Sequence, residues 1–396
     1  MKLIRNPELR GILGMIVIIL AIGAVMAVTT GKLEEWFGIS FSPKLVNKIV
    51  FVSDRSGTSE LYAMDPDGSE VTRLTQKADT LSAPAISASG TYVAYVAMQG
   101  STNQVYSVGA GGGTPRQLTT ATGPKKMARY TPDGRRLSYV CSGKVYVASI
   151  NGESPSTVLP TKVEEHTAMS DPMRGEVPAY HDYAWAPMGE AIVGVTRDRS
   201  DSDVIAYVAN PESDGLYFAL RPRINEILQS AGLTKTLIPE GQKVRVAGIE
   251  WAADGETFTI TVVSGTNGYL IVFSTAQGQL SVNGFKPFPG QQLSSPGLAP
   301  NGRSIVIGVS PAGGKSPGGL LRVDLSDGSA QMIASGEFEN PKYSHDGEKV
   351  LAVKVDAKSG KRDVVLVDLT DGSLTELTKD GRSFDAVWSP VSEDRK

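Results

Sequence analysis

The chain is poor in several chemistries. Its 396 residues hold one cysteine, Cys141, and three histidines, His166, His181 and His345. A single cysteine excludes an intrachain disulfide and a cysteine metal cluster. It ends an apolar run, which makes it a small core residue rather than a reactive thiol. Basic residues are not in excess: 39 Lys and Arg stand against 42 Asp and Glu, a net charge of −3. No positive field is available to hold nucleic-acid phosphates. No G-x-S-x-G elbow is present, and no segment outside the regular part of the chain is large enough for a hydrolase domain. Long apolar runs are absent with one exception.

That exception is "GILGMIVIILAIGAVMAVT" (11–29), 19 uncharged residues, the length of a membrane-crossing helix. Lys2, Arg5 and Arg10 precede it, so the positive-inside bias keeps residues 1–10 cytoplasmic and places the rest outside, in the periplasm or at the cell surface. The competing reading is a signal peptide cleaved after "VMA" (25–27), but the run is long for one. An uncleaved signal-anchor is therefore expected. Gly23 and Ala27 form a small-xxx-small pair that allows weak self-association of such helices. The linker 30–47 carries Trp36 and Phe37 at the height of an interfacial belt.

What the chain has in abundance is turns. "YTPDGRRLSYV" (130–140) has near copies throughout: an apolar or aromatic residue, a tight turn, then an alternating strand. Seven first positions align, Ile86, Tyr130, Trp185, Trp251, Leu298, Tyr343 and Trp388, at spacings of 44, 55, 66, 47, 45 and 45 residues. A period near 45 with four short strands per copy is the signature of a propeller, one blade per repeat. A third strand follows, as in "ELYAMDPDG" (60–68), and a short fourth often ends in Leu-Thr, at 74–75, 118–119 and 377–378. The first repeat lacks its first strand, whereas "FDAVWSP" (384–390) is a first strand with nothing after it but the tail 391–396. The expectation is an all-β, seven-bladed β-propeller over 48–390, closed by its C-terminal strand and preceded by one transmembrane helix. Six blades would result if the irregular fourth repeat fails.

These repeats resemble a known family. "KIVFVSDRSGTSELYAMDPDGSEVTRLT" (48–75), "TPDGRRLSYV" (131–140) and "VWSP" (387–390) are similar to the WD-like propeller repeat of the TolB-type family. The resemblance implies the propeller fold and a place in the cell envelope. On this reading the propeller is expected to follow an anchor and a linker, without the separate N-terminal domain of TolB.

Function is expected where the repetition breaks. The Asp-Gly turns, including "DPDGSE" (65–70), lack the ligand set of a calcium loop and read as hairpin closures. Two inserts interrupt the period. In 161–183, His166, His181, Glu164, Glu165, Asp171 and Asp182 could ligate a metal, but without helical spacing, and no cofactor or metal is expected. In 211–233, Ile224, Ile227, Leu228 and Ala231 fall at i, i+3, i+4 and i+7, which predicts an amphipathic helix on the side of its blade. The inner strands read as mostly small, apolar and aromatic, unlike those of an enzyme with a charged central channel. The expected role is a non-catalytic scaffold that binds an envelope protein or peptide segment. The alternatives are a propeller enzyme of lactonase, dehydrogenase or peptidase-accessory type, or a surface sensor or envelope-polymer binder. One rim gathers the long loops and the basic residues Lys125, Lys126, Arg197, Arg199, Lys315 and Lys358, which are expected to meet the partner.

Overall fold

The computed structural model describes residues 43–170, 177–189, 191–210, 213, 215–313 and 318–391. The expected anchor 11–29, most of the linker, Lys315 and residues 392–396 lie outside the described residues. Among the described residues no helix is long and apolar enough to cross a membrane.

Seven antiparallel sheets follow one another, and each is a blade. Blade 1 is assembled from both ends of the chain, in the order Ser383–Trp388, Ile49–Ser53, Glu60–Met64, Thr72–Arg73. Blades 2 to 7 begin with the inner strands Ala85–Ile86, Lys125–Tyr130, Asp182–Trp185, Arg245–Trp251, Gly297–Leu298 and Glu337–Tyr343. Every inner strand ends on one of the seven repeated apolar or aromatic positions. Closure is secured beyond the strand ladder. Ser389 N donates to Lys48 O at 2.9 Å, and Lys48 N donates to Ser389 Oγ at 2.7 Å. Closure leaves the ring without a free inner edge.

The core lies between blades rather than in one centre. Seven buried clusters fill the seven blade interfaces, and the one that closes the ring sets Ile49 and Phe51 against Leu351, Val364 and Leu366. Each such fully buried side chain contributes about 1.5–3 kcal/mol. The tryptophans at the repeated position reach back to the preceding blade. Trp185 Nε1 donates to Ser138 Oγ at 3.1 Å, Trp251 Nε1 to Ala184 O at 3.2 Å and Trp388 Nε1 to Lys342 O at 3.4 Å. An indole suits this place because it fills the interface and still finds an acceptor for its one donor.

The turns between first and second strands are alike. Gly134 N donates to Thr131 O at 2.8 Å with φ +66°, and Gly347 N to Ser344 O at 2.9 Å with φ +75°, a conformation that costs glycine nothing. Asp133 Oδ1 and Asp346 Oδ1 accept from backbone and hydroxyl donors of their own turns. His345 replaces the usual proline and bonds through Nε2 to Ser389 O at 2.8 Å, tying blade 7 to the closing strand.

The recurrent Leu-Thr endings have a job as well. Thr75 Oγ1 accepts from Leu61 N at 2.9 Å and donates to Glu60 Oε2 at 2.6 Å. Thr119 repeats this with Val105 N and Gln104 Oε1, and Thr378 with Val364 N and Asp363 Oδ1. Each threonine pins its outer strand to the third strand where the sheet ladder has ended. Burial alone pushes Glu60 up, but hydrogen bonds from Thr75, Thr58, Ala78 N and Arg73 outweigh it and hold the carboxyl below its ordinary value.

Both inserts contain helices. α1 (Lys162–Ser170) follows the fourth strand of blade 3, where the sequence had suggested no periodic structure. α2 (Leu220–Ser230) is the expected amphipathic helix, starting three residues early, and it buries Leu220, Ile224 and Leu228 in the blade 4–5 core. Ala231 caps the helix and is exposed rather than packed.

Candidate functional site

Strands alternate in direction, so loops that join blades share a rim with loops joining second and third strands. This loop rim carries both the 161–183 insert and 196–203. The opposite rim carries the Asp-Gly turns, and the first described residues lie there too, with Leu45 N donating to Gly90 O at 2.8 Å.

A cleft of about 970 Å³ opens on the loop rim between blades 3 and 4. Pro124, Val140, Val177, Pro178 and Ala179 give it apolar walls, and Lys126, Arg197 and Arg199 line it with positive charge. Asp198 also lines it, but its Oδ1 accepts from Ser200 N, Ser200 Oγ and Ser202 N and is spent on its own turn.

Two buried carboxylates set this geometry, Glu164 in α1 and Asp203 in blade 4. Thr161 Oγ1 accepts from Glu164 N at 3.2 Å while Glu164 Oε2 accepts from Thr161 N at 2.6 Å, a capping box that starts α1. Glu164 Oε1 also accepts from Tyr180 Oη at 2.9 Å and Tyr217 Oη at 2.5 Å, so the helix is bolted to the wall of the cleft. Burial, then the Glu164 charge, push the Tyr180 hydroxyl far above its ordinary value. Asp203, 2% exposed, accepts from Val246 N at 2.9 Å and faces Arg197 Nε at 3.3 Å and His181 Nε2 at 3.5 Å. Burial alone pushes its carboxyl up, but the bonds from His181 and Val246 N and the charges of His181 and Arg245 hold it below the ordinary value.

Three of the six expected basic residues meet at the cleft: Lys126, Arg197 and Arg199. Lys358 is exposed on the same rim, in blade 7. Lys125 must be corrected. It is 0% exposed, and its Nζ bonds to the carbonyls of Ala121, Thr122 and Gly123, so it braces a loop and cannot steer a partner. The metal candidates disperse among other partners. Glu165 pairs with Lys144 at 2.8 Å and Asp182 with Arg129 at 3.6 Å, while Asp171 lies outside the described residues. Among the described residues no three His, Cys, Asp or Glu side chains gather as a metal site would require.

The central channel differs from expectation. All seven inner strands line a cavity of about 450 Å³, and it is charged: Arg129 and Lys342 stand with Asp182, Glu250 and Asp385. The residue three before each repeated position always faces it: Ala83, Met127, Asp182, Gly248, Ser295, Asn340 and Asp385. Bulges interrupt four of the inner strands there, and Met127, Asn340 and Asp385 take φ of +56°, +49° and +51°. Gly248 is required by proximity, since a Cβ would stand 2.4 Å from Ser295 Cβ. Lys342 Nζ donates to Glu250 Oε2 at 2.5 Å. Ser295 Oγ donates to Asn340 Oδ1 at 2.9 Å, and Asn340 Nδ2 to Asp385 Oδ1 at 3.2 Å. Burial raises Asp385 above its ordinary value, Glu339 adds to this, and burial likewise raises Asp182. The signal for these residues was present: 295, 340 and 385 are one repeat apart, visible only when the repeats are read by register rather than by hydropathy.

Comparison with known proteins agrees with this architecture. Residues 30–210 match the model of the TolB β-propeller domain. Over these residues, somewhat under half of the chain, it is similar to the TolB β-propeller domain. A curated relative, the protein TolB homolog of Chlorobium chlorochromatii, is 25% identical over 160 residues, covering 30% of this chain and 34% of the relative. This chain therefore spans about a third of the length of that relative. The periplasmic gluconolactonase PpgL of Pseudomonas aeruginosa superposes with a TM-score of 0.55 at 15% identity, covering 87% of this chain and 99% of its own. A functionally unknown protein from Desulfotomaculum acetoxidans gives 0.56 at 11% identity, covering 87% and 99%. At such identities the likeness speaks for the fold alone.

Proposed function

We propose that this TolB-type propeller is a non-catalytic, membrane-tethered scaffold of the cell envelope that holds an acidic, extended protein segment on its loop rim. The observation that supports this most is the cleft between blades 3 and 4, where Lys126 and Arg199 stand over apolar walls beside Arg197, itself paired with Asp201 and Asp203, and the one lining carboxylate is occupied by its own turn. An acidic segment would find charge complementarity there and surface for its apolar side chains. The tether is the apolar run 11–29, and the propeller begins on the turn rim, away from the cleft.

The test is association with the partner that copurifies from solubilised membranes. Reversing Lys126 and Arg199 to Glu should slow association by about tenfold at low salt and flatten its salt dependence. The same reversal of Arg135 and Arg136, exposed beside a turn on the other rim, should leave association unchanged. Loss of binding from the turn-side pair alone would refute the assignment.

A further inference from the structure

We propose that the central channel is a binding site for an alkyl amine, whose ammonium group is held by Asp385. This inference is independent of the loop-rim reading, because it concerns different residues and a ligand of opposite charge.

The argument begins with charge. Two cations and three carboxylates line the channel, and both cations are already committed. Lys342 is bonded to Glu250 at 2.5 Å and also lies 3.4 Å from Pro296 O. Arg129 donates to Tyr183 O and faces Asp182 at 3.6 Å. Asp385 is the carboxylate left over. The basic residue whose charge acts on it, Arg362, is paired with Glu339 at 3.3 Å and rests over the Phe384 ring.

Hydrogen bonding points the same way. The relay from Ser295 to Asn340 to Asp385 runs around the ring from blade 6 through blade 7 to blade 1. Each link is a donor from one blade to an acceptor on the next. At blade 2 the corresponding residue is Ala83, whose methyl offers nothing to donate. Among the described residues Asp385 thus has an acceptor oxygen left for a donor from within the channel. A half-buried carboxylate in this position favours a cationic donor over a neutral one, because a charge-assisted bond also offsets its desolvation.

The rest of the wall sets the character of the ligand. Ala83, Pro84, Ala85, Ala128, Ala247 and Ala386 are small and apolar, and they offer a surface suited to methylenes. An alkyl amine can lay its chain along the alanines and bring its nitrogen to the end of the relay.

Calorimetric titration of the full-length protein with pentylamine, and separately with 1-pentanol of the same chain length, tests the site. Saturable pentylamine binding is expected, with the alcohol at least about tenfold weaker. Asp385→Asn should weaken pentylamine by at least about tenfold, and Lys126→Glu at the loop-rim cleft should not change it. The proposal is overturned if pentylamine shows no saturable binding, if the alcohol binds as well as the amine, or if Asp385→Asn binds as tightly as the parent. The alcohol comparison needs no variant, so it decides the matter even if Asp385→Asn fails to fold.

Discussion

Replacing Thr75 with valine removes one hydroxyl and keeps the shape of the side chain. In the parent, Thr75 and Glu60 are both 0% exposed, so solvent cannot replace what is lost. Two bonds are lost: the Leu61 amide, which donates to Thr75 Oγ1 at 2.9 Å, is stranded, and Glu60 Oε2 loses its 2.6 Å donor and keeps only Ala78 N at 3.2 Å. A buried unsatisfied amide costs about 1–3 kcal/mol, and a bond to a charged acceptor is worth ~1.5–3 kcal/mol. Thr75→Val should therefore destabilise the protein by about 3–5 kcal/mol, a fall of about 4–7 °C in Tm for a propeller of about 350 residues. Blade 2 supplies the control. Thr119 makes the same two bonds, but to a neutral partner, Gln104, so Thr119→Val should cost only about 1–3 kcal/mol. Differential scanning calorimetry of the two variants, together with Glu60→Gln and the double variant, measures the difference. Because the folded-state pKa of Glu60 is depressed, its contribution is complete above the unfolded carboxyl pKa and fades as pH falls through the folded value. The gap between the two threonine variants should accordingly narrow in acid. Equal losses in both blades at neutral pH, or a gap that widens as pH falls, would refute the argument.

Two further outcomes follow from the ring and the anchor. Deleting 384–396 removes Trp388, with its bond to Lys342 O, and opens blade 1, so a loss of at least about 3 kcal/mol is expected and a drop in Tm checks it. A C-terminal reporter active only in the cytoplasm should be silent on the full-length protein if 11–29 keeps the N-terminus inside, and its activity would overturn the tethered orientation.

Much of the ring was legible because its signals are local and repeated. Glycine at φ near +70° closes each first turn, and the alternating strand after it has one apolar face, so each blade announces itself within about a dozen residues. Closure was legible for a different reason: the first repeat lacked a strand and the last had one to spare. The helix at 162–170 was missed although its signal was in plain sight. Thr161 and Glu164 are spaced as a capping box, but α1 has no strong apolar stripe to draw attention to them. The same threonine belongs to a Leu-Pro-Thr stretch where sister repeats have Leu-Thr. At this blade the residue caps a helix instead of pinning a strand.

The candidate sites were legible only in part, because charge in a sequence carries no direction. Lys125 and Lys126 are adjacent in a strand, and their side chains point to opposite faces. Lys126 lines the cleft, while Lys125 is buried under the carbonyls of its own loop. Alternation alone says that the two differ but not which one faces out, since the bulge at 127–128 resets the register between them and Tyr130. The channel was hidden by the same device. Asp182 and Asp385 look like isolated charges in apolar strands and Asn340 like one more polar residue in a charged one, whereas counting back three from each aromatic position places them on one ring. In a repeat protein the strongest functional signal is therefore a residue that departs from its sisters at a fixed register. Asp385, a charge at a register that most of its sisters leave uncharged and at the end of a relay whose next position is an alanine, is such a residue.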